Sequence, residues 1–456
     1  MDDLMVEIFM KNPWFVRIWT AQEILLAKRV AIVSRPFQMG CDEFCAAVDY
    51  ASELGGFQTV ILGLIPQSEA WVVSAVQALK TGPAPPNPAA ELFYYLLRTR
   101  RRGATDLRDK IFAVLGLVSG KIEDVGIRPD YHASTQDVYR DATARLIAIS
   151  GSLDVLGVCY PFDGRVLPEL PSWVPDRRAQ GYLAQPLVED VRGRLRTTHA
   201  STRIPAKASW EDNVATLVVE GHAVDVVTQI SVVKPRYDED EVWNFDEFVF
   251  DDNLPWYRDL LDALKMVGKS FGNFTNMVAH VALYAEWEES AKELKPTNPD
   301  SWNSDPMSIC CQTLSAGTLA PGGLQETETM FKKWFDELAP IRTLRSWNFN
   351  KAGGTFRLLS FLGYLKTTWN GYSEFLSYIT PSTERRMGAC EKGYLCLLPK
   401  TTRVGDKLAV LRGGRVPVIL RTRDDGTIEF IGEAYVHGIM NGEAFEEDKC
   451  AEMRIR

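Results

Sequence analysis

Apolar positions in the first 90 residues recur at helical spacing, with one short apolar run and one proline-rich break between them. Periods of three and four residues predict helices over 21–27, 42–54 and 69–80. The apolar run at 30–33 predicts a buried strand, and the four prolines of 81–88 mark a break in the chain.

Two helices further along carry their own start signals. Asp106 is a potential N-cap for a helix over 107–118, with Asp109 three residues later as its capping-box partner. Ser134 and Asp137 form the same pattern at the start of the next helix, which Gly151 ends. The apolar faces predicted for these helices are formed by Ile111, Phe112 and Leu115, and by Val138, Ala142, Leu146 and Ile149.

The second half of the chain changes from helical to alternating patterns. Segment 170–176 is bracketed by prolines and predicts an extended connector, 216–231 predicts a pair of strands, and 255–380 is mainly helical. Acids alternate with aromatics over 238–252, which is typical of a solvated acidic segment. In the last 70 residues, glycine-containing turns separate short apolar strands, which are predicted at 393–398, 407–411, 415–421 and 427–436.

The pattern as a whole predicts an α+β fold, with a mainly helical N-terminal and central region and a C-terminal antiparallel β module, a small barrel or sandwich. Composition agrees with a globular protein, since 46% of the 456 residues are hydrophobic and 24% are charged. The net charge of −9 disfavours nucleic acid and anionic membranes as partners. We expect a cytoplasmic protein, because no targeting signal is visible and no apolar run approaches the ~20 residues of a membrane helix.

Few residues qualify for catalysis or metal binding. The eight cysteines lack the spacing of a disulfide framework or a zinc site, and nucleotide-binding motifs are absent, so we expect reduced thiols, no metal and no cofactor. Among five histidines, His437 is the most interesting acid–base candidate, because Glu433 and Glu443 could converge on it if the strand turns back at Gly438. A structural histidine that orders the final turn is the simpler interpretation and carries more weight.

Two further clusters could bind a partner. Arginines are dense over 98–102, and the charges of 106–110 alternate in sign, so the cluster could bind phosphate or an acidic partner. The alternation favours a solvated loop that forms its own ion pairs. The other cluster is at 14–23, where tryptophans flank polar residues; Arg17 and Glu23 are spaced across a strand-to-helix turn, which predicts a partly buried ion pair.

Several segments together resemble the fungal heterokaryon-incompatibility (HET) family. Residues 12–23, NPWFVRIWTAQE, are similar to its W-F-x-R-x-W-x-x-Q-E signature, and residues 106–117, DLRDKIFAVLGL, are similar to its D-x-R-D-K-[IV]-[FY]-A-L-L-G-L stretch. Segments 129–139, 170–176 and 432–443 complete the resemblance, which covers both ends of the chain but little of 180–380. The candidate binding residues are Trp14, Arg17, Trp19, Gln22, Glu23, Arg108, Asp109 and Tyr131.

The resemblance implies four parts: the end of a HET domain over 1–80, a helical HET-associated region over 81–180, a mixed strand and helix region over 181–380, and the β module over 381–456. Family members usually begin with a Toll/interleukin-receptor-like half that carries Y-x-x-L-S-Y-x-W-G and W-[IV]-D-x-x-C-I-N-Q, and neither string occurs here. We therefore expect most of the half that triggers cell death to be missing.

Two functions follow from the resemblance. The first, which the family favours, is nonself recognition with programmed cell death, through contact with a protein partner. The alternative is a cofactor-free cyclase or pericyclic catalyst of secondary metabolism, whose apolar pocket would act on a small apolar terpenoid or polyketide by positioning it. For both functions we expect the amphipathic signature segments 14–23 and 106–117 to pack against each other.

Overall fold

The computed structural model shows a helical region built largely from residues before 160 and a β barrel built largely from the C-terminal residues, which confirms the α+β class. The residues it describes are 14, 17–34, 37–43, 87–100, 102–119, 122–159, 167, 170–178, 184–189, 196–231, 233, 287, 305–337 and 378–456. The helices are α1 (Thr20–Leu25), α2 (Pro88–Arg98), α3 (Asp109–Leu115), α4 (Ile122–Val125), α5 (Thr135–Ser150), α6 (Pro306–Leu314) and α7 (Leu324–Glu337), with 3-10 turns at Asp154–Val158, Thr380–Ser382 and Glu447–Lys449. The strands are β1 (Ala31–Ser34), β2 (Phe37–Gly40), β3 (Ala208–Glu211), β4 (Thr216–Ile230), β5 (Arg385–Cys390), β6 (Leu395–Pro399), β7 (Lys407–Leu411), β8 (Val418–Thr422), β9 (Ile428–Glu433), β10 (Tyr435–Val436) and β11 (Ala451–Ile455).

Local signals in the sequence set the ends of α2 and α5. The Asn87 side chain accepts a hydrogen bond from the N–H three residues on, and Pro88 occupies the first turn of α2, where a backbone N–H has no intrahelical acceptor. Ser134 Oγ accepts the N–H of Asp137 at 3.1 Å, and Gly151 adopts a left-handed φ of 61° after the last turn of α5. The predicted start and stop of α5 are therefore confirmed.

The apolar faces of α2, α3 and α5 form the core of the helical region. Every side chain of α3 from residue 110 to 115 is buried, so this short helix is enclosed on nearly all sides. The predicted faces are buried with one exception, Ile149, which lies in the last turn of α5 and is 40% exposed. Truncating a fully buried leucine such as Leu92 or Leu146 to alanine costs about 2–5 kcal/mol of unfolding free energy.

The start of α3 differs from the prediction. The helix begins at Asp109, and the side chain of Arg108 at the N-cap position makes no capping hydrogen bond. Asp106 Oδ1 instead accepts the backbone N–H of Arg108 at 3.0 Å and its Nε–H at 2.9 Å. Asp106 therefore caps the turn that leads into α3. The reciprocal half of the predicted capping box is wrong, because the Asp109 carboxylate accepts Trp19 and Tyr131 instead.

Strand β4 organises the barrel. The sequence predicted a strand pair over 216–231, but Thr216–Ile230 is one continuous strand. The strand pairs with β3 and β11 along its first part, with β7 in the middle and with β5 at the end. Its register shifts once within the β7 pairing and once within the β5 pairing. A β-bulge shifts the alternation of side chains, and in a sequence that shift looks like a turn.

The sheet closes on itself. Its order is β10-β6-β5-β4-β11-β9-β8-β7, and a further antiparallel pairing of β7 with β4 closes the ring β4-β11-β9-β8-β7. Of the two forms predicted for the β module, the structure shows a barrel, and closure leaves these five strands without a free edge along the ring. Strands β5 and β11 were not predicted, because charged residues interrupt the alternation of RRMGAC and AEMRI.

Segment 170–178 connects the helical region with the barrel. The N–H of Val174 donates to the carbonyl of Pro171 at 3.0 Å, so the segment turns and the predicted extended connector is wrong. Trp173 is fully buried here. Ser172 Oγ donates to the carbonyl of Arg456 at 2.6 Å and accepts an N–H of β9 at 2.9 Å, which fixes the turn to the barrel.

Several predictions fall outside the described residues. The helix at 69–80 and the acidic segment 238–252 lie wholly outside, and of the helix at 42–54 only the first two residues are described, both helical. Within 255–380, α6 and α7 agree with a mainly helical segment. None of the described helices is long and apolar enough to cross a membrane.

Candidate functional site

The two signature segments pack against each other, as predicted. Trp19 Nε1 donates to Asp109 Oδ2 at 3.0 Å, and Gln22 Nε2 donates to the carbonyl of Ala113 at 2.7 Å. A Cβ at position 116 would lie 3.0 Å from Gln22 Nε2, so Gly116 leaves the space that this amide occupies. Helix α1 is therefore fixed to α3 by side chains from both segments.

Asp109 is the centre of a cluster at the surface. Besides the indole of Trp19, it accepts the hydroxyl of Tyr131, with 2.7 Å between Oη and Oδ1. The guanidinium carbon of Arg108 lies 5.3 Å from the ring centroid of Tyr131, and Asp106 holds the same guanidinium at 2.7 Å. These five residues, Trp19, Asp106, Arg108, Asp109 and Tyr131, are called the Asp109 surface below.

The Asp109 surface is exposed, yet its own contacts hold it in place. Trp19 is 37% exposed and Tyr131 is 49% exposed. The hydrogen bond to Asp109 raises the pKa of Tyr131 to about 12, so the hydroxyl remains a donor at neutral pH. The hydrogen bond from Arg108 lowers the pKa of Asp106, which keeps that carboxylate charged. Aromatic rings held beside charges can bind a protein surface at little cost in side-chain entropy.

The other residues of the first signature segment lie beside this surface. Trp14 Nε1 donates to Glu23 Oε2 at 2.7 Å. Arg17 and Glu23 are both exposed, and the contacts of the described residues include no ion pair between them. The predicted partly buried Arg17–Glu23 pair is wrong, because the indole N–H of Trp14 holds the Glu23 carboxylate. Arg17 contacts the helical region through its backbone carbonyl oxygen, which accepts a hydrogen bond from Arg102 Nη1 at 3.1 Å.

The charged cluster of 98–110 is largely buried, although the sequence favoured a solvated loop. Lys110 is 3% exposed. Arg98 and Arg100 contact a carboxylate far away in the sequence, that of Glu189, at 3.5 and 3.4 Å. Of the local ion pairs expected here, the one within the Asp109 surface forms. Charge alternation did not reveal that tertiary partners compete for these side chains.

Glu433, His437 and Glu443 lie in the last part of the barrel but have separate partners. Glu433 Oε1 accepts Arg385 Nη2 at 2.8 Å, whereas Glu443 Oε2 accepts the N–H of Asn441 at 2.7 Å. His437 Nδ1 is buried without a hydrogen-bond partner among the described residues, and burial lowers the pKa of this histidine. The described contacts therefore support structural roles for these residues rather than one shared acid–base site.

Glu433 lines a cleft between the barrel and the 3-10 turn Asp154–Val158. The cleft has an empty volume of about 270 Å³ and is lined mainly by leucine, valine and phenylalanine. Burial raises the pKa of Glu433 to about 7, although Arg385 and the N–H of Leu187 oppose the shift. A Cβ at position 157 would lie 2.7 Å from Glu433 Oε2, so Gly157 is required by this close approach.

Sequence reasoning missed the residues that fix the buried charges. Arg385 is 2% exposed, Glu189 is 2% exposed, and Arg196 donates from Nε to the Glu189 carbonyl at 2.9 Å. They lie outside the signature segments. The available signal was weak: each is a charged residue next to an apolar run, which is also common at a protein surface.

Comparison with known proteins gives one match. Residues 367–453 match the model of the Het-6 beta-barrel domain, and the described part of this stretch contains β5 to β10 and the start of β11. No curated protein and no solved structure matches the chain. The match agrees at a coarse level with the resemblance to the fungal HET family, and it covers residues 367–453 alone.

Proposed function

We propose that this chain takes part in heterokaryon incompatibility, the nonself recognition that ends in programmed cell death when unlike fungal cells fuse, and that it acts through protein contacts. The observation that carries the proposal is the match of residues 367–453 to the Het-6 beta-barrel domain. A cytoplasmic location and a protein partner belong to the same proposal. The four-part division and the loss of the first half of the HET domain stay predictions.

The Asp109 surface supports a role in protein contact. Tryptophan, tyrosine and arginine carry most of the binding energy in typical interfaces, and all three occur here around one carboxylate. Because Asp109 already holds Trp19 and Tyr131, a partner would bind rings that lose little freedom on binding. Trp19 of the first signature segment and Arg108 and Asp109 of the second thus belong to one proposed contact surface.

The described cleft does not favour the alternative, a cofactor-free cyclase. A pocket that encloses a drug-sized ligand usually has about 300–1,000 Å³. The cleft beside Glu433 has about 270 Å³ of empty space, part of it open to solvent. Its two carboxylates, Glu433 and Asp154, are held by Arg385 and Arg415 at 2.8 and 3.0 Å. Protein contact therefore remains the proposed function.

The proposal is tested by fusion between fungal strains. A strain that expresses the chain is paired with a panel of wild isolates, and the viability of fused cells is compared with that of a strain lacking the gene. We expect lower viability with at least one isolate. Trp19→Ala with Tyr131→Ala should restore viability, because the aromatic contacts are lost.

The control variant is Leu319→Ala, which removes an exposed apolar side chain (45% exposed) outside the Asp109 surface. It should leave the loss of viability unchanged, with all proteins at equal abundance. Equal viability with and without the chain across the panel would overturn the proposed function. Equal effects of the Asp109-surface and control variants would overturn the assignment of the contact surface.

A further inference from the structure

Three cationic side chains are buried together in the helical region. Arg102 and Lys110 are each 3% exposed, and Arg177 is 7% exposed. Lys110 Nζ donates to the backbone carbonyl of Arg102, and the positive charge of Arg177 acts on Lys110. These residues are called the cationic cluster below.

The contacts of the cationic cluster are with uncharged groups. Lys110 Nζ also donates to the carbonyl of Arg100 at 3.0 Å, and Arg102 Nη1 donates to Thr20 Oγ1 at 2.5 Å. Within the described part of the chain, Arg102 Nη2 and both Nε and Nη2 of Arg177 are buried with no hydrogen-bond partner. Buried guanidinium groups normally have all their N–H groups bonded.

The neighbouring carboxylates are held by other residues. Asp176, next to Arg177, pairs with Arg178 at 2.6 Å. Asp109, next to Lys110, accepts the side chains of Trp19 and Tyr131. Asp106 pairs with Arg108 as described above. The acids closest in sequence are therefore unavailable, and the described ion pairs give the cationic cluster no negative partner.

The positive charge persists at neutral pH. Burial lowers the pKa of Arg102 and of Arg177 to about 10, and it lowers the pKa of Lys110 to about 8, with Arg177 adding to the last shift. Both guanidinium groups therefore stay charged near pH 7. Burying charges without a partner is strongly unfavourable, because the interior cannot replace the lost hydration.

We propose that the cationic cluster binds a small oxyanion, a phosphate or carboxylate group, which Arg177 holds directly and whose negative charge Lys110 helps to balance. The free Nε and Nη2 of Arg177 lie on one edge of the guanidinium, which presents two parallel donors to two oxygens of such a group. Because the side chains of the cationic cluster are almost completely enclosed, neighbouring groups must move apart to admit the anion, which limits it to a small one. This site is separate from the proposed contact function of the Asp109 surface.

The first experiment measures thermal unfolding of the full chain in chloride, in inorganic phosphate and in acetate, at constant pH and ionic strength. A ligand that binds the folded state raises the midpoint in proportion to the logarithm of its concentration. We expect a rise on the order of a few degrees that saturates with one of the two oxyanions, and the more effective one identifies the group. Identical midpoints in all three salts would overturn the proposal.

The second experiment uses Arg177→Met, with Arg128→Met, at an exposed arginine, as the matched control. The first variant removes an unpaired buried charge at similar side-chain length, so its midpoint in chloride should exceed that of the unaltered chain, and its response to the oxyanion should vanish. The control keeps the full response. An unchanged response in Arg177→Met would overturn the site.

Direct binding covers the case in which Arg177→Met does not fold. Equilibrium dialysis of the unaltered chain against radiolabelled phosphate and labelled acetate should show one bound anion per chain. Lys110→Gln should weaken that binding at least several-fold. Absence of saturable binding of both anions to the unaltered chain would refute the proposal independently of any variant.

Discussion

The barrel and the helical region bury charge in opposite ways. In the barrel, Glu433 and Arg385 are 3% and 2% exposed and pair at 2.8 Å. In the helical region, Arg102, Lys110 and Arg177 are buried to a similar degree, and the described residues provide no carboxylate partner for them. Among the described residues, the Glu433–Arg385 pair contains its own counter-charge, whereas the cationic cluster does not.

The paired charge has a structural role. Arg385 donates to the carbonyl of Glu433 at 2.9 Å and to the carbonyl of Gln185 at 3.3 Å, and Glu433 accepts the N–H of Leu187. The pair thus ties β5 and β9 to segment 184–189. The hydrogen bonds of the cationic cluster within the described residues go to uncharged groups and not to a carboxylate, which is why we assign it to a ligand. Buried charge therefore indicates function where its partner is absent.

Replacing Arg385, the positive residue of the Arg385–Glu433 pair, should have the largest effect on the unfolding free energy. Arg385→Met strands the Glu433 carboxylate in the interior and should lower the unfolding free energy by about 3–5 kcal/mol, measured by urea denaturation. The control is Arg423→Met, which loses a partly exposed contact of 3.5 Å with Glu429 and should cost about 1 kcal/mol or less. Equal, small losses of unfolding free energy in the two variants would show that the Arg385–Glu433 pair contributes no more than an exposed ion pair.

The unfolding free energy should also depend on pH through the raised pKa of Glu433. Its pKa rises from 4.5 to about 7 on folding, mainly through burial, while Arg385 and Arg196 oppose the shift. The folded state keeps a proton that the unfolded state releases, so the stability from neutral Glu433 is fully present below pH 4.5 and is lost as pH rises to about 7. The change is on the order of 3 kcal/mol.

The measurement is the difference in unfolding free energy between the unaltered chain and Glu433→Gln from pH 4.5 to 7.5. The partly buried histidines His199 and His437, whose pKa values are lowered, act in the opposite direction and cancel in this difference. A difference that does not change with pH would mean that Glu433 titrates normally.

A smaller loss should follow from filling the space beside Glu433. In Gly157→Ala the new Cβ would lie 2.7 Å from Glu433 Oε2 and 2.9 Å from Val188 Cγ1, so the barrel and the 3-10 turn must separate. We expect a loss of about 1–3 kcal/mol by urea denaturation. Gly40→Ala, whose nearest neighbour would be 3.5 Å away, should change stability by about 0.5 kcal/mol or less. If Gly157→Ala leaves the unfolding free energy unchanged, Glu433 and Arg385 have room to move.

The smallest effect is expected at the surface. Glu23 is exposed and accepts one hydrogen bond from Trp14, so Glu23→Ala should cost about 1 kcal/mol or less in thermal or urea unfolding. The control is Glu452→Ala on the exposed face of β11. If Glu23→Ala lowers the unfolding free energy as much as Arg385→Met does, the buried Arg17–Glu23 pair predicted from the sequence would be supported after all.

Local features of the fold could be predicted because neighbouring residues cause them. Ser134 and Gly151 set the ends of α5 through hydrogen bonds and φ values within one turn, and Lys407–Leu411 was predicted as a strand with its exact ends. The packing of Trp19 and Gln22 on α3 also followed from two amphipathic segments. Where residues distant in the sequence took a side chain, as Trp19 and Tyr131 did for Asp109, the local prediction was wrong.

The sequence by itself determined the α+β class, the ends of α5, the contact between the two signature segments and the resemblance to the HET family. Only the tertiary structure decided which charges are paired, because the partners of Glu433 lie 48 and 246 positions away along the chain. It also decided that Lys110 is buried while Asp109, the next residue, contributes to the surface. A sequence lists charges by their order, whereas desolvation depends on what surrounds each charge in space.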